Sequence, residues 1–145
     1  MSIIKKITAS ETHLVRHLVL RKGRPKESCV FEEDDLESTD HFGLFLEQEI
    51  VAIISLYKKT NPLFAEKLQY QIRGMAVLEN QRKKDFGKAL IEYSEKWCVV
   101  KNVNLIWFNA RTEAIGFYKK MGYQKTGKLF IINDVGEHIV MFKKI

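Results

Sequence analysis

The stretch from Ile72 to Tyr123 decides the fold: IRGMAVLENQRKKDFGKALIEYSEKWCVVKNVNLIWFNARTEAIGFYKKMGY. Its opening apolar run, Ile72–Leu78, reads as the end of a strand that starts near Leu68, with Gly74 marking a bulge or a close backbone approach. A basic turn follows, carrying Arg82, Lys83 and Lys84. Phe86, Ala89, Leu90, Tyr93 and Trp97 then fall on one face, which predicts a helix over Phe86–Val100. Leu105–Phe108 is fully apolar and short, the pattern of a strand in parallel pairing. Ala114, Phe117, Tyr118 and Met121 recur at i, i+3, i+4 and i+7, so a second helix runs from about Glu113 to Met121 and stops at Gly122. The free N–H groups at the start of the first helix bind anions, Arg82, Lys83 and Lys84 add charge, and Gly87 lets a phosphate oxygen approach the backbone. This succession suits a phosphate-bearing carrier held beside a tyrosine hydroxyl, and so a group-transfer reaction.

Outward from this stretch, Ile3, Ile4 and Ile7 suggest a short first strand, and Ser10 is a candidate cap for a helix over Glu11–Leu20 that ends at Gly23 and Pro25. Lys26–Asp40 is acidic and irregular, with room for one helical turn around Asp34–Glu37. His41–Leu46 and Ile50–Tyr57 form a hairpin through Glu47–Glu49, and Tyr123–Ile132 with His138–Lys144 forms another. The resulting order is β-α-(α)-β-β-β-α-β-α-β-β, a mixed α/β sandwich in one domain spanning residues 1–145.

Composition narrows the function classes. Of 145 residues, 46% are hydrophobic and 29% charged, an ordinary balance for a soluble globular chain. No apolar run approaches the ~18 residues of a membrane helix, and the N-terminus lacks the pattern of a secretory leader. Cys29 and Cys98 are too few and too far apart for a disulfide or metal framework, so a reducing, cytoplasmic setting is expected. His13 and His17 have metal-compatible spacing but no third ligand, and no metal site is expected. The formal net charge of +6 is bipolar, with acidic residues crowded between Glu32 and Asp40 and basic ones between Arg82 and Lys88. That distribution argues against nucleic acid as the partner and for a site with an anionic ligand at one end.

The quoted stretch resembles the GNAT superfamily of N-acetyltransferases, whose signature Q/R-x-x-G-x-G/A lies between the fourth strand and the third helix. Here Arg82 and Gly87 match, while Asp85 replaces the first glycine and Lys83 stands where the family often has another. The segment from Asn109 to Tyr123 is similar to the family's Asn at the end of the fifth strand and its A-x-x-F-Y-x-x-x-G-F helix. The resemblance implies a mostly antiparallel sheet with splayed parallel central strands flanked by helices. It implies acetyl-CoA as cosubstrate, with Met75, Ala76 and Val77 along the pantetheine arm, Arg82, Lys83, Lys84, Asp85, Phe86, Gly87 and Lys88 around the pyrophosphate, Asn109 at the pantetheine amide, and Ala114 and Phe117 packed on the cosubstrate. Tyr118 would protonate the departing thiolate, and backbone N–H groups near Val77 would polarise the thioester carbonyl. Asp85 is a good N-cap residue, so its carboxylate is expected to compete for the N–H groups of Gly87 or Lys88.

The acceptor side is less specified. A primary amine, on a small molecule or a protein, must lose a proton to attack, and the candidate bases are Glu32, Glu33, Asp34, His41 and His138. His138 and Glu33 are placed in the catalytic set, Arg21 and His41 in the acceptor-binding set. Leu20–Pro25, His41–Gly43 and Asp134–Met141 are similar to one GNAT branch with a G-P-H-x-x-M ending, in which Glu137 here replaces the proline. The last hairpin is a candidate surface for a homodimer. The competing expectation is a catalytically silent acyl-CoA binding or sensing module, which Asp85 favours.

Overall fold

The computed structural model describes residues 1–145 and is built on one seven-stranded sheet in the order β1-β2-β3-β4-β5-β7-β6. The strands are β1 (Ser2–Ile7), β2 (Asp40–Leu46), β3 (Glu49–Lys58), β4 (Gln69–Val77), β5 (Leu105–Arg111), β6 (Gln124–Ile132) and β7 (Gly136–Lys144). The helices are α1 (Ala9–Val15), which continues as a π-helical turn over Arg16–Leu20, α2 (Phe86–Val100) and α3 (Ile115–Lys120). All neighbouring strands are antiparallel except β4 and β5.

That exception positions the site. The two parallel strands pair only from Gln69↔Leu105 to Gln71↔Trp107. Beyond Gln71, β4 keeps β3 as its only neighbour, and β5 keeps only β7. The divergence coincides with a bulge. The register opposite β3 slips between Ser55↔Arg73 and Ile53↔Ala76, so Gly74 and Met75 share one partner position. Gly74 has φ 64, a left-handed conformation that glycine adopts without a Cβ penalty. A Cβ there would lie 3.1 Å from the Phe31 ring. A V-shaped gap therefore opens between Arg73–Val77 and Phe108–Arg111.

The main core lies between the sheet and α2, where Phe42, Leu44, Ile54, Leu56 and Ile106 meet Leu90 and Ile91. A smaller core on the opposite face packs Val15 of α1 on Ile7, Ile53 and Ala76. β4 is thus packed on both faces, through Ile72 and Ala76, and β5 is packed against the α2 side through Ile106 and Phe108.

Three expectations shift. The first helix is capped by Thr8, not Ser10, because only Thr8 has a glutamate three residues on. The Thr8 N–H donates to Glu11 Oε1 at 2.9 Å while the Glu11 N–H donates to Thr8 Oγ1 at 3.3 Å. The acidic segment folds as turns, and its helical piece is the 3₁₀ turn Lys26–Cys29. β5 extends past Phe108 to Arg111, because polar Asn109 and Arg111 alternate outward from the sheet as exposed residues. α2 spans Phe86–Val100 as its periodicity predicts.

Candidate active site

The gap between β4 and β5 continues into a cleft with two connected parts. One part, of about 490 Å³, lies against the turn before α2. The other, of about 560 Å³, lies toward the β6–β7 hairpin. Val19, Met75, Arg82, Ala114 and Tyr118 line both, so the parts form one continuous channel with Tyr118 at the junction. Each volume falls in the range of small-molecule sites.

The first part offers cationic side chains and free helix amides, the groups an anion needs. Lys83 and Asp85 both adopt left-handed backbone conformations, φ 65 and φ 61. These are the two positions where glycine would relieve strain, and aspartate tolerates the conformation better than most residues. The expected capping by Asp85 does not occur, since its carboxylate makes no cap hydrogen bond. An N-cap side chain reaches the helix amides from an extended backbone, and Asp85 is left-handed. The first helical hydrogen bond runs from the Ala89 N–H to the Asp85 carbonyl at 3.0 Å, leaving the N–H groups of Phe86, Gly87 and Lys88 without a protein acceptor. Arg82, Lys83 and Lys88 line this part, whereas Lys84 turns aside to bond Gln81 Oε1 at 2.8 Å. Met75, Ala76 and Val77 on β4 face it from the other side, with Phe117 from α3.

Tyr118 lies in a nest of aromatic rings, 4.4 Å from Phe108 and 5.1 Å from Phe117 between centroids. Its hydroxyl makes no protein hydrogen bond and is not sealed off. Burial pushes its pKa up to about 12, with Arg111 pulling slightly the other way. The phenol is therefore protonated at neutral pH and free to donate. Asn109 lines the second part, from β5.

His138 lines the second part too. Its Nδ1 lies 2.8 Å from the Gly136 carbonyl oxygen, and its ring stacks on Phe130. A carbonyl can only accept, so Nδ1 carries the proton in the neutral ring and Nε2 presents a lone pair. That is the form a proton acceptor needs.

Glu33 and His41 are not brought to the cleft. Glu33 sits in a turn with φ 69 and pairs with Lys59 at 2.7 Å. His41 is buried with both nitrogens used. Nε2 donates to the Asp34 carbonyl at 3.0 Å, and Nδ1 meets Ser55 Oγ at 2.6 Å. It belongs to a buried network centred on Arg16, which is fully inaccessible. Arg16 Nη1 donates to Asp34 Oδ2 at 2.6 Å and to the Cys29 carbonyl at 2.8 Å. Its Nη2 donates to Asp34 Oδ1, Ser55 Oγ and Tyr57 Oη, and Tyr57 in turn donates to Asp34. Burial alone would raise the pKa of Asp34, but the hydrogen bonds from Arg16, Tyr57 and the Phe31 amide outweigh it and hold it below its ordinary value. Burial and the Asp34 carboxylate push Tyr57 up to about 12.

Arg21 does line the second part, and the structure adds Arg73, Arg111 and Phe31, which the sequence did not single out for the site. The signal available was alternation, which puts Arg111 on the same side of β5 as Asn109.

Comparison with known proteins identifies the family and the fold. The profile of the acetyltransferase (GNAT) family matches residues 11–123. An uncharacterised N-acetyltransferase of Bacillus subtilis, YitI, is 35% identical over 98% of this chain and 95% of its own length. The ribosomal-protein-S18-alanine N-acetyltransferase of Escherichia coli has a similar structure, with TM-score 0.79 at 15% identity, covering 100% of this chain and 94% of that one. An aminoglycoside 6'-N-acetyltransferase complexed with coenzyme A gives TM-score 0.77 at 15% identity, covering 98% and 96%.

Proposed function

Because the chain belongs to the acetyltransferase (GNAT) family, and is an N-acetyltransferase with acetyl-CoA as cosubstrate, we propose that it acetylates a primary amine by direct attack within this cleft, with Tyr118 as general acid. The observation that carries the reading is the Tyr118 hydroxyl, protonated and without a protein partner, at the junction of an anion seat and a second cavity. Acetyl-CoA supplies an activated acetyl thioester. The N–H groups of Phe86, Gly87 and Lys88, with Arg82 and Lys83, hold its diphosphate. The unpaired edge of β4 at Met75–Val77 and the Asn109 side chain hold the pantetheine arm from the two sides of the V, while Ala114 and Phe117 pack on it.

Each group then has one task. His138 Nε2 takes a proton from the amine, whose nitrogen lone pair forms a bond to the thioester carbonyl carbon. Backbone N–H groups near Val77 stabilise the oxyanion of the tetrahedral intermediate. The C–S bond breaks, and Tyr118 gives its proton to the departing sulfur. Asp85 was the residue that favoured a silent acyl-CoA binding module, and its carboxylate makes no cap hydrogen bond. Removal of the hydroxyl in Tyr118→Phe should lower kcat about 100-fold with the KM for acetyl-CoA nearly unchanged, read as thiol release. Undiminished turnover would take Tyr118 out of the mechanism.

A further inference from the structure

The cavity beyond Tyr118 has an unusual charge inventory. Arg21, Arg73, Arg111 and His138 line it, with Arg82 shared between the two parts, and no aspartate or glutamate lines it at all. The chain has six arginines, and only Arg16 forms an ion pair. The Arg21 guanidinium spends one N–H on the neighbouring Leu20 carbonyl at 3.2 Å, and Arg73 reaches the Glu32 carbonyl at 3.4 Å. Arg111 makes no protein side-chain hydrogen bond. Surplus guanidinium N–H groups in a cavity are donors without acceptors.

Their placement is fixed by different elements. Arg21 follows the π-helical turn, with its guanidinium 5.0 Å from the centre of the Phe31 ring. Arg73 lies just before the bulge on β4, 5.5 Å from the same ring and 4.7 Å from the Tyr57 ring. Arg111 ends β5 opposite His138 on β7. Arg73 and Arg111 thus stand on the two arms of the V. Burial and the charges of Arg24, Arg16 and Arg111 lower the pKa of Arg21. The carboxylate of exposed Glu113 feels the charge of Arg111 without forming an ion pair with it, accepts from Thr112 Oγ1 at 3.2 Å and lies outside the lining.

The carrier does not account for these groups. Its anion seat lies on the other side of Tyr118, where Lys83 and Lys88 line the first part and not the second. We infer that the acceptor is a small amine carrying its own oxyanion, a carboxylate or a phosphate, which Arg21, Arg73 and Arg111 clamp while its amine points to His138 and Tyr118. Guanidinium groups match planar and tetrahedral oxyanions with paired N–H donors. The same field repels a cationic amine and favours the neutral, nucleophilic form. A polyamine or an aminoglycoside meets these three arginines and no carboxylate, and is disfavoured. This inference rests on the acetyl-transfer reading.

The test is thiol release from acetyl-CoA by the full-length protein with matched amines: free amino acids against their carboxamides, aminoalkyl phosphates against the corresponding amino alcohols, and polyamines. The expected result is kcat/KM at least about tenfold higher for the anionic member of at least one matched pair, equal to or above ~1.4 kcal/mol of discrimination, with polyamines inert. The amino acid and phosphate arms tell which oxyanion is read. Arg73→Gln and Arg111→Gln should each raise the KM for the anionic acceptor about tenfold while leaving the KM for acetyl-CoA unchanged. Lys128→Gln, an exposed charge outside the cavity, should change neither. Equal or better turnover of the neutral members, or preference for a polyamine, overturns the inference and leaves acetyl transfer standing. Faster reaction of succinyl-CoA with neutral amines also overturns it, by assigning the anion to the acyl group. Thiol release with no amine of any class removes the acetyl-transfer reading and this inference together.

Discussion

Two kinds of arginine surround one ring. Arg16 lies 3.8 Å from the centre of Phe31, fully buried and bonded to Asp34, Ser55, Tyr57 and the Cys29 carbonyl. Arg21 and Arg73 lie 5.0 and 5.5 Å from it, with no carboxylate partner, and face the cavity. A paired, buried guanidinium is part of the fold's framework, since loss of its partner strands a charge away from water. An unpaired guanidinium at a cavity wall contributes little to the fold and is available to a ligand. The histidines divide in the same way. His41 has both nitrogens used within the network, whereas His138 keeps Nε2 free.

Removing the Asp34 carboxylate breaks the comparison most severely. Asp34→Ala should destabilise the protein by about 3–5 kcal/mol, visible in urea melts, and a loss below about 1 kcal/mol would mean that Arg16 finds other partners. The pH dependence follows with a definite sign. The Asp34 carboxyl is held below its ordinary value in the folded protein, so its contribution is present above the unfolded pKa of about 3.9 and is lost as pH falls through the folded one. Asp34→Asn should flatten that acid limb.

The histidines give the next largest contrast. His138→Gln should lower kcat about 100-fold with the melting temperature little changed. His41→Gln should lower the melting temperature, because it removes the partner of Ser55 and the donor to the Asp34 carbonyl. The reverse pattern would exchange their roles.

The smallest effects sharpen the contrast at the cleft. Arg111→Gln should shift stability by no more than about 0.5 kcal/mol in the same urea melts, unlike any change at Asp34. Asp85→Gly removes a negative charge from the N-cap position of α2, and should tighten coenzyme A binding by up to about 1 kcal/mol in titration calorimetry. Unchanged binding would mean that the carboxylate already points away from the diphosphate.

The two ends of the cleft also differ in how far they can be read from sequence. The proposed anion seat is built from one continuous segment. Its strand, turn and helix are local, so Arg82, Gly87 and the Phe86–Val100 periodicity are enough to place it. The proposed acceptor cavity takes Arg21, Phe31, Arg73, Arg111 and His138 from five separate segments, and only the sheet order brings them together. Asp34 shows the same difficulty. In the run Glu32–Asp35 it looks like its solvated neighbours, and its burial depends on Arg16 and Tyr57, both distant in sequence. Asp85 failed for a geometric reason, since residue type identifies a capping aspartate but not a left-handed backbone. Glu33 and His41, chosen as residues able to move a proton, proved to be bound to Lys59 and to the Arg16 network.

The central claim is that the V between β4 and β5 receives the carrier and delivers its sulfur to Tyr118. A crystal structure of the complex with coenzyme A tests it most directly. The account predicts diphosphate oxygens about 3 Å from the backbone nitrogens of Phe86, Gly87 and Lys88, and the sulfur within reach of the Tyr118 hydroxyl. A carrier bound elsewhere, or a sulfur on the far side of α3 from that hydroxyl, would contradict it.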